Sequence, residues 1–383
     1  MRFTCKTMNL REAIAKVERI VSKQTTLPIL GNILISTEKG RLLIASTNLE
    51  IAVKVYIGAK IEEEGQVTIP ARILGGFLNT IKDEVVSGDL KDLELKISSD
   101  NHKIKIKGID AKDFPIIPDV EGESFFSVLS DVLIRIISGV LVSVAHNDTR
   151  QELNGVFVRF DKEKLTLAST DSFRLTELKV DIEKNSITKG YDAYREKKST
   201  IIVPALALME LQRIAVSGEH VEFTIDQNQL FISTNSTKVI SRLINGNYPE
   251  YKQVLPKTFE INVKLNKEEF IGAIKIASLV ANSQNGEVQL KSSKDKKHLI
   301  VAAQSIDTGD NISKIPAEID GVEFSVLFNC RYLLEGLGGV LFDGDFVLLK
   351  LNQQKSPVML KSLNDERTED TSFSYVIMPI IKS

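Results

Sequence analysis

Apolar side chains recur at helical spacing in several stretches of the chain and at alternate positions between them. Over residues 9–23, Leu10, Ala13, Ile14, Val17, Ile20 and Val21 share one side of a helix, and Glu12, Lys16, Arg19 and Lys23 fall opposite. Over residues 71–82 the stripe is Ile73, Leu74, Phe77, Leu78 and Ile81, with Arg72, Gly75, Gly76 and Lys82 outward. Further helices are expected to begin near Asp131, Pro204, Asn266 and Cys330, presenting Arg135, Arg213, Lys275 and Arg331. Between them lie period-two runs such as residues 103–107 and 221–225, which read as strands. Helices therefore alternate with antiparallel hairpins in an α+β fold.

The pattern is stated three times, at a period of about 125 residues, far beyond the units of a solenoid. A strand-like run ending in small polar residues appears as Leu43-Ile44-Ala45-Ser46-Thr47-Asn48 and as Leu165-Thr166-Leu167-Ala168-Ser169-Thr170-Asp171. It returns more weakly as Leu299-Ile300-Val301-Ala302-Ala303-Gln304. Each is followed by a short apolar strand and a helix start: Val67-Thr68-Ile69-Pro70-Ala71, Ile201-Ile202-Val203-Pro204-Ala205, and Val326-Leu327-Phe328-Asn329-Cys330. Each copy closes near Phe114-Pro115, Tyr248-Pro249 or Met378-Pro379. Three whole domains of one fold are expected, at 1–123, 124–253 and 254–383, each large enough to bury its own core.

With 49 basic and 51 acidic residues the chain is near neutral, so any surface facing a polyanion must be local. Cys5 and Cys330 stand in different copies without metal spacing, which fits a reducing cytosol and no disulfide framework. The amino terminus enters a strand at once with no signal peptide, and the apolar stretch 128–145 is broken by Ser130, Asp131, Arg135 and Ser138, so it reads as a buried helix. A cytoplasmic location is expected. No phosphate-binding glycine loop, HExxH helix or nucleophile elbow occurs, and neither metal nor cofactor is expected. His146 near Asp148 leaves a hydrolase conceivable, although a polar-loop histidine is the plainer account. The outward Lys and Arg side chains are either ordinary solvated faces or, if the domains close on themselves, the lining of one hole that touches phosphates without reading bases. A repeat-built scaffold that never encloses nucleic acid is the alternative.

Thr26-Leu27-Pro28-Ile29-Leu30-Gly31-Asn32, Leu153-Asn154-Gly155, Thr170-Asp171-Ser172-Phe173-Arg174-Leu175, Asn247-Tyr248-Pro249-Glu250-Tyr251, Val254-Leu255-Pro256 and Tyr375-Val376-Ile377-Met378-Pro379 span the chain in order. Together they resemble the bacterial DNA polymerase III beta subunit family, the sliding clamps. The resemblance implies three tandem copies of the DNA-clamp fold, with helices lining a central channel and antiparallel sheets outside, in a dimeric six-domain ring. The implied function is that of a non-enzymatic processivity factor encircling duplex DNA without sequence preference. Implied partners are the polymerase III alpha subunit, the clamp loader, other DNA polymerases, ligase and mismatch-repair proteins, all bound through a short linear motif, and no membrane.

By the same resemblance, the motif's pocket is Leu153, Thr170, Ser172, Phe173, Arg174, Leu175, Pro249, Gln253, Val254, Asn329, Tyr332, Pro357, Val376, Ile377, Met378 and Pro379. The family often carries glycine and histidine where this chain has Ser172 and Phe173, and a basic residue in place of Gln253. DNA contact is implied for Lys23, Gln24, Asn147, Arg150 and Gln151, joined by the basic helix positions Lys16, Arg19, Arg72, Lys82, Arg135 and Arg213. The dimer contact is implied for Lys103, Ile104, Lys105, Ile106 and Lys107 against Leu279, Val280 and the strand containing Ile312. Lysines on that edge also serve as a guard against aggregation.

Overall fold

A computed structural model describes the chain except residues 22–26, 120–122, 147, 182–189, 198, 227, 282–285, 353–355, 365–367 and 382–383. The expected Lys23, Gln24 and Asn147 lie outside the described residues. The rest form two compact units, one of residues 1–130, 185–194 and 213–243, the other of 131–184, 195–212 and 244–383.

One order of elements is met three times along the chain. In the first copy a strand (Arg2–Lys6) leads into helix α1 (Thr7–Val17). Strands Asn32–Glu38, Arg41–Thr47, Ile51–Ile57, Lys60–Glu63 and Gln66–Pro70 follow, then α2 (Ala71–Thr80) and a meander of Val85–Lys91, Glu94–Ser98 and Lys103–Lys107. The second copy runs Phe126–Leu129, α3 (Ser130–Leu141), Gly155–Phe160, Lys164–Thr170, Arg174–Asp181, an added α4 (Tyr191–Lys197), Thr200–Pro204, α5 (Ala205–Ile214), His220–Asp226, Gln229–Ser233 and Thr237–Arg242. The third runs Ile261–Asn266, α6 (Lys267–Val280), Glu287–Ser292, His298–Ser305, Gly309–Asp320, Ser325–Asn329, α7 (Cys330–Leu337), Phe346–Leu351, Val358–Leu363 and Phe373–Ile377. The expected α+β repeat is therefore present in all three copies.

The small polar run repeated in the sequence has a local cause. Ser46 Oγ donates to the Val17 carbonyl at the end of α1 (2.7 Å), and Ser169 Oγ donates to the Val140 carbonyl near the end of α3. Such bonds satisfy carbonyls that a helix end leaves orphaned. The next residue, Thr47 or Thr170, donates to the carbonyl of Ile51 (3.0 Å) or Arg174 (2.7 Å) and accepts from the amide of Leu49 or Ser172, at 3.0 Å in both. Asn48 and Asp171 close the same turn by accepting two backbone amides each. Leu49 and Ser172 both take φ 76°, a left-handed conformation that glycine adopts without steric cost.

Within the first unit, strands Lys60–Glu63, Arg2–Lys6, Val85–Lys91, Glu94–Ser98 and Lys103–Lys107 form one sheet in that order. An eight-stranded sheet joins two copies of the repeat, because Thr237–Arg242 pairs antiparallel with Ile51–Ile57 and sets Lys238 opposite Lys54. Within the second unit, a twelve-stranded sheet is continuous because Phe373–Ile377 pairs antiparallel with Arg174–Asp181, setting Ser374 opposite Glu177. Both joints obey one rule: the last strand of a copy pairs with the strand after the small polar run of the copy before it.

The helices depart from the sequence reading in two places. α1 spans Thr7–Val17 rather than continuing to residue 23, although Ile20 beyond it is still buried. In α2 the buried face is Ala71, Leu74, Gly75 and Leu78, while Ile73 is 48% exposed. Gly75 was expected to point outward; instead a Cβ there would stand 3.4 Å from Ile14 Cγ2 and 2.9 Å from Glu18 Oε2, so the missing side chain is what lets α2 approach α1. Burial of a glycine carries no hydrophobic signature, which is why spacing alone put the stripe one position off. Arg11 of α1 ties the pair by donating to the Leu78 and Ile81 carbonyls at the end of α2, at 2.9 Å each.

Candidate functional site

The turn after Thr170 and the final strand build one surface of the second unit. Arg174 pairs with Ile377 and Leu175 with Val376 across the joint, and Met378 continues the ladder by donating its amide to the Phe173 carbonyl (2.7 Å). Pro379 is buried, and the Ile380 amide donates to the Leu327 carbonyl (2.8 Å), so the chain end is held on both sides. Ala168, Leu175, Tyr251, Met359 and Val376 form the apolar layer beneath, with Phe157, Tyr248 and Leu255 against it. Tyr251 comes from the linker after the second copy and donates its hydroxyl to Glu177 (2.8 Å).

Arg174 is the polar centre of this surface. It is 6% exposed, donates from Nε to Asp171 Oδ2 (2.9 Å) and from Nη1 to Glu335 Oε2 on α7, and lies 4.5 Å over the Tyr332 ring. Phe173, 60% exposed, stacks on the same tyrosine at 6.5 Å between centroids. Arg331 donates to the other oxygen of Glu335 (2.6 Å). Burial would lift the Glu335 carboxyl, but the bonds from Arg331 and Arg174 outweigh it and hold the group below its ordinary value. Asn329 caps α7 by accepting from the Arg331 amide (2.9 Å), and the Tyr375 hydroxyl donates to the Tyr332 carbonyl (2.8 Å).

The geometry brings Ser172, Phe173, Arg174, Leu175, Tyr332, Val376, Ile377 and Met378 together; Leu175 and Val376 belong to the apolar layer beneath, and Leu153 and Ile377 are buried. Thr170 is spent on the turn. Pro249 and Gln253 are exposed on the linker beside the 52%-exposed Val254, and Pro357 precedes the strand whose Val358 faces Ile377. Sequence reasoning did not name Asp171, Glu335 or Tyr251 as site residues. Asp171 is three residues from Arg174 and belongs to its turn, whereas Glu335 and Tyr251 reach the site across sequence separations that only the fold closes. Surface Phe173, Tyr332 and Met378 above a buried arginine can grip an extended apolar segment while arginine and backbone groups fix its register.

Sequence profiles of the DNA polymerase III beta subunit match nearly the whole chain in series: the N-terminal domain over residues 1–118, the central domain over 127–250, and the C-terminal domain over 252–381. The chain belongs to the DNA polymerase III beta subunit family. The beta sliding clamp of Synechococcus elongatus is 28% identical to it, covering 99% of both chains, and that of Bacillus subtilis is 25% identical, covering 96% of this chain and 97% of its own. A solved B. subtilis DNA polymerase sliding clamp matches with TM-score 0.90 at 24% identity, and the Pseudomonas aeruginosa beta subunit with TM-score 0.89 at 23%, both over 100% of each chain. As a clamp-family beta subunit the chain is a processivity factor of DNA replication, not an enzyme, and it binds DNA and protein partners as clamps do.

Other expected positions lie on the helices of this beta subunit, just beyond their ends, or in the loop after α3. Arg19, Arg72 and Lys82 are exposed. Lys16 is half-buried, with Nζ 3.4 Å from Thr237 Oγ1, and Arg135 pairs with Asp343. Arg213 donates to the Ala15 (3.1 Å) and Lys16 (2.8 Å) carbonyls, so it caps α1 rather than projecting freely as its spacing suggested. Arg150 is held by Asp148 and donates to Ser172 Oγ (2.9 Å), which links the expected DNA loop to the groove; Gln151 beside it is exposed. His146 lines a cavity of about 380 Å³ with Ser138, Arg174, Arg331 and Glu335. Among the described residues no group of three or more His, Cys, Asp or Glu side chains could hold a metal, and no helix is long and apolar enough to cross a membrane.

Proposed function

We propose that two copies of this chain close head to tail into a six-domain ring around duplex DNA, with domains at 1–123, 124–253 and 254–383. One observation carries the reading. The rule of the two joints uses the last strands of copies two and three and the corresponding partner strands of copies one and two. It leaves over Lys103–Lys107, the last strand of copy one, and Gly309–Asp320, the partner-type strand of copy three. Lys103–Lys107 ends its sheet, and Gly309–Ser313 pairs on one side only, with His298–Ser305. The same contact made between two chains is heterologous and closes after two. Ile312 (70% exposed), Ile306 (104%) and Leu279 (79%) stand at the free end of copy three, where the Thr308 hydroxyl donates to the Val280 carbonyl (2.8 Å). Solvated apolar groups of that kind favour a covering partner.

A ring replaces strong DNA contacts by linkage, so escape requires opening a joint. The basic residues Lys16, Arg19, Lys23, Arg72, Lys82, Arg135, Arg150 and Arg213, with Gln24, Asn147 and Gln151, supply a diffuse attraction for phosphates that permits sliding. The Phe173/Tyr332/Met378 groove, with Arg174 as anchor, receives the linear motif of the polymerase alpha subunit, clamp loader, other polymerases, ligase and mismatch-repair proteins. A tethered polymerase then meets the primer end at high effective concentration. The site of action is the cytoplasm. The test is retention: the protein loaded on circular duplex stays bound through gel filtration and is lost when the circle is linearised. Equal loss from both templates overturns enclosure.

A further inference from the structure

We infer that Asn245 is a site of spontaneous modification: its side-chain amide is lost through a succinimide formed with Gly246, and the isoaspartate that results loosens the linker rim of the groove. The modification stands on its own geometry, and its effect on the groove rests on the peptide-binding reading above.

The sequence holds three Asn-Gly pairs, at Asn154, Asn245 and Asn285, of which Asn285 lies outside the described residues. The other two carry the same dipeptide in opposite settings. Asn154 is half-buried, accepts from the Asp148 amide through Oδ1 (3.0 Å) and donates from Nδ2 to the Asp148 carbonyl (2.9 Å). Gly155 opens strand Gly155–Phe160 and is buried, and a Cβ there would stand 2.8 Å from atoms of Ile202, Ile244 and Val203. Turning the Asn154 amide toward the Gly155 nitrogen would break both bonds in a space that is already full.

Asn245 has none of these restraints. Asn245 and Gly246 are exposed, and neither makes a hydrogen bond to a described residue. Gly246 holds φ 139°, and a Cβ on it would meet nothing within 4 Å. The pair borders an open cavity of about 530 Å³ with Thr200, Asn247 and Lys252 on its wall, so water reaches it. Glycine brings no side chain of its own to obstruct the approach of the amide carbon. The Gly246 nitrogen bonds to Cγ of Asn245, the Cγ–Nδ2 bond breaks, and the proton from the nitrogen leaves with ammonia. Water then opens the ring. Cleavage at Cγ gives aspartate, and cleavage at the main-chain carbonyl carbon of Asn245 gives isoaspartate, whose Cβ now lies in the backbone beside a new carboxylate. Nothing is oxidised or reduced.

The added backbone atom falls between two fixed points. The Ile244 amide donates to the Ile202 carbonyl (3.0 Å), and Tyr248 stacks on Phe157 at 5.2 Å between centroids, against the apolar layer under the groove. Lengthening residues 245–247 displaces one of these anchors, and Pro249 and Val254 on the groove's rim follow Tyr248 directly along the linker.

Full-length protein is aged in warm, mildly alkaline buffer and mapped with trypsin, which releases Asn154 in peptide 151–159 and Asn245 in peptide 243–252. Peptide 243–252 is expected to gain about one mass unit, placed on Asn245 by fragmentation and mostly as isoaspartate, while 151–159 is unchanged; in urea, where the fold no longer shields Asn154, both gain it. No gain in 243–252, a gain on Asn247 instead, or an equal gain in both peptides of the folded protein overturns the site. The aged wild type is expected to lose affinity for a labelled clamp-binding peptide of the polymerase alpha subunit in proportion to its isoaspartate content. Asn245→Gln, whose longer side chain closes a ring far more slowly, is expected to lose none. Undiminished affinity in the modified protein overturns the effect on the groove. Fresh protein that binds no peptide removes the groove reading and leaves the mass map standing.

Discussion

Asp119 stands between two lysines that face each other across a strand pair: its Oδ1 lies 3.0 Å from Lys54 Nζ and 3.6 Å from Lys238 Nζ. Lys54 is nearly enclosed, with 7% of its side chain exposed, and also donates to the Ile117 carbonyl (3.2 Å). Burial would lift the Asp119 carboxyl, but the bond and charge of Lys54, helped by Lys238, hold it below its ordinary value. Asp119→Asn is expected to cost about 1–2 kcal/mol in urea unfolding, less than for a fully buried pair because Asp119 is half exposed. A group whose folded pKa is depressed stabilises above its unfolded pKa and ceases to do so as pH falls through the folded one. The variant and the wild type should therefore converge in acid.

Tyr251→Phe removes the hydroxyl bond to the buried Glu177, which retains its pairing with Lys179 at 3.3 Å. The expected loss is about 1–2 kcal/mol of stability. The apolar layer under the groove is retained, so peptide affinity should fall less than threefold; a larger loss would mean that Tyr251 touches the peptide.

Gly336→Ala places a methyl 2.0 Å from Cε1 of the fully buried Tyr375. Overpacking of this kind costs about 1–3 kcal/mol and moves α7 away from the last strand. Peptide binding, read by fluorescence anisotropy, should weaken by more than tenfold while the dimer mass is unchanged.

Leu49 holds φ 76° while 48% exposed, so its side chain contributes little packing in return for the strained backbone. Leu49→Gly is expected to raise stability by up to about 1 kcal/mol, the relief of left-handed strain less the extra freedom of glycine in the unfolded chain. A decrease in the urea midpoint would show that Leu49 is held by packing after all.

Glu335→Gln tests the groove's charge centre. The carboxyl is held below its ordinary value, so its contribution is present above the ordinary carboxylate range and is lost as pH falls through the folded value. The variant should bind peptide more weakly at neutral pH and show a flatter acid limb than the wild type.

The repeat, the element types and the edge strands were legible in the sequence because they are written in period and order. The small polar run gave away its turn, since Ser, Thr and Asn or Asp are the residues that cap a helix and close an Asx turn. What spacing could not show was the rotation of α2 about the buried Gly75, or that Arg213 spends its donors on the Ala15 and Lys16 carbonyls. Nor could it show that Glu335, far along the chain, completes the Arg174 centre. An outward basic residue looks the same in sequence whether it meets solvent, a phosphate or a carbonyl, and only the neighbouring helix end decides.

The strand joints are held by peptide groups, which every residue supplies, and this frees their side chains to drift. Selection can exchange a lysine at Lys54 for a glutamate at Glu177 in equivalent places, provided that something nearby neutralises the charge. A lineage can thus rewrite three quarters of its letters and keep its backbone, as 24% identity beside a TM-score of 0.90 attests.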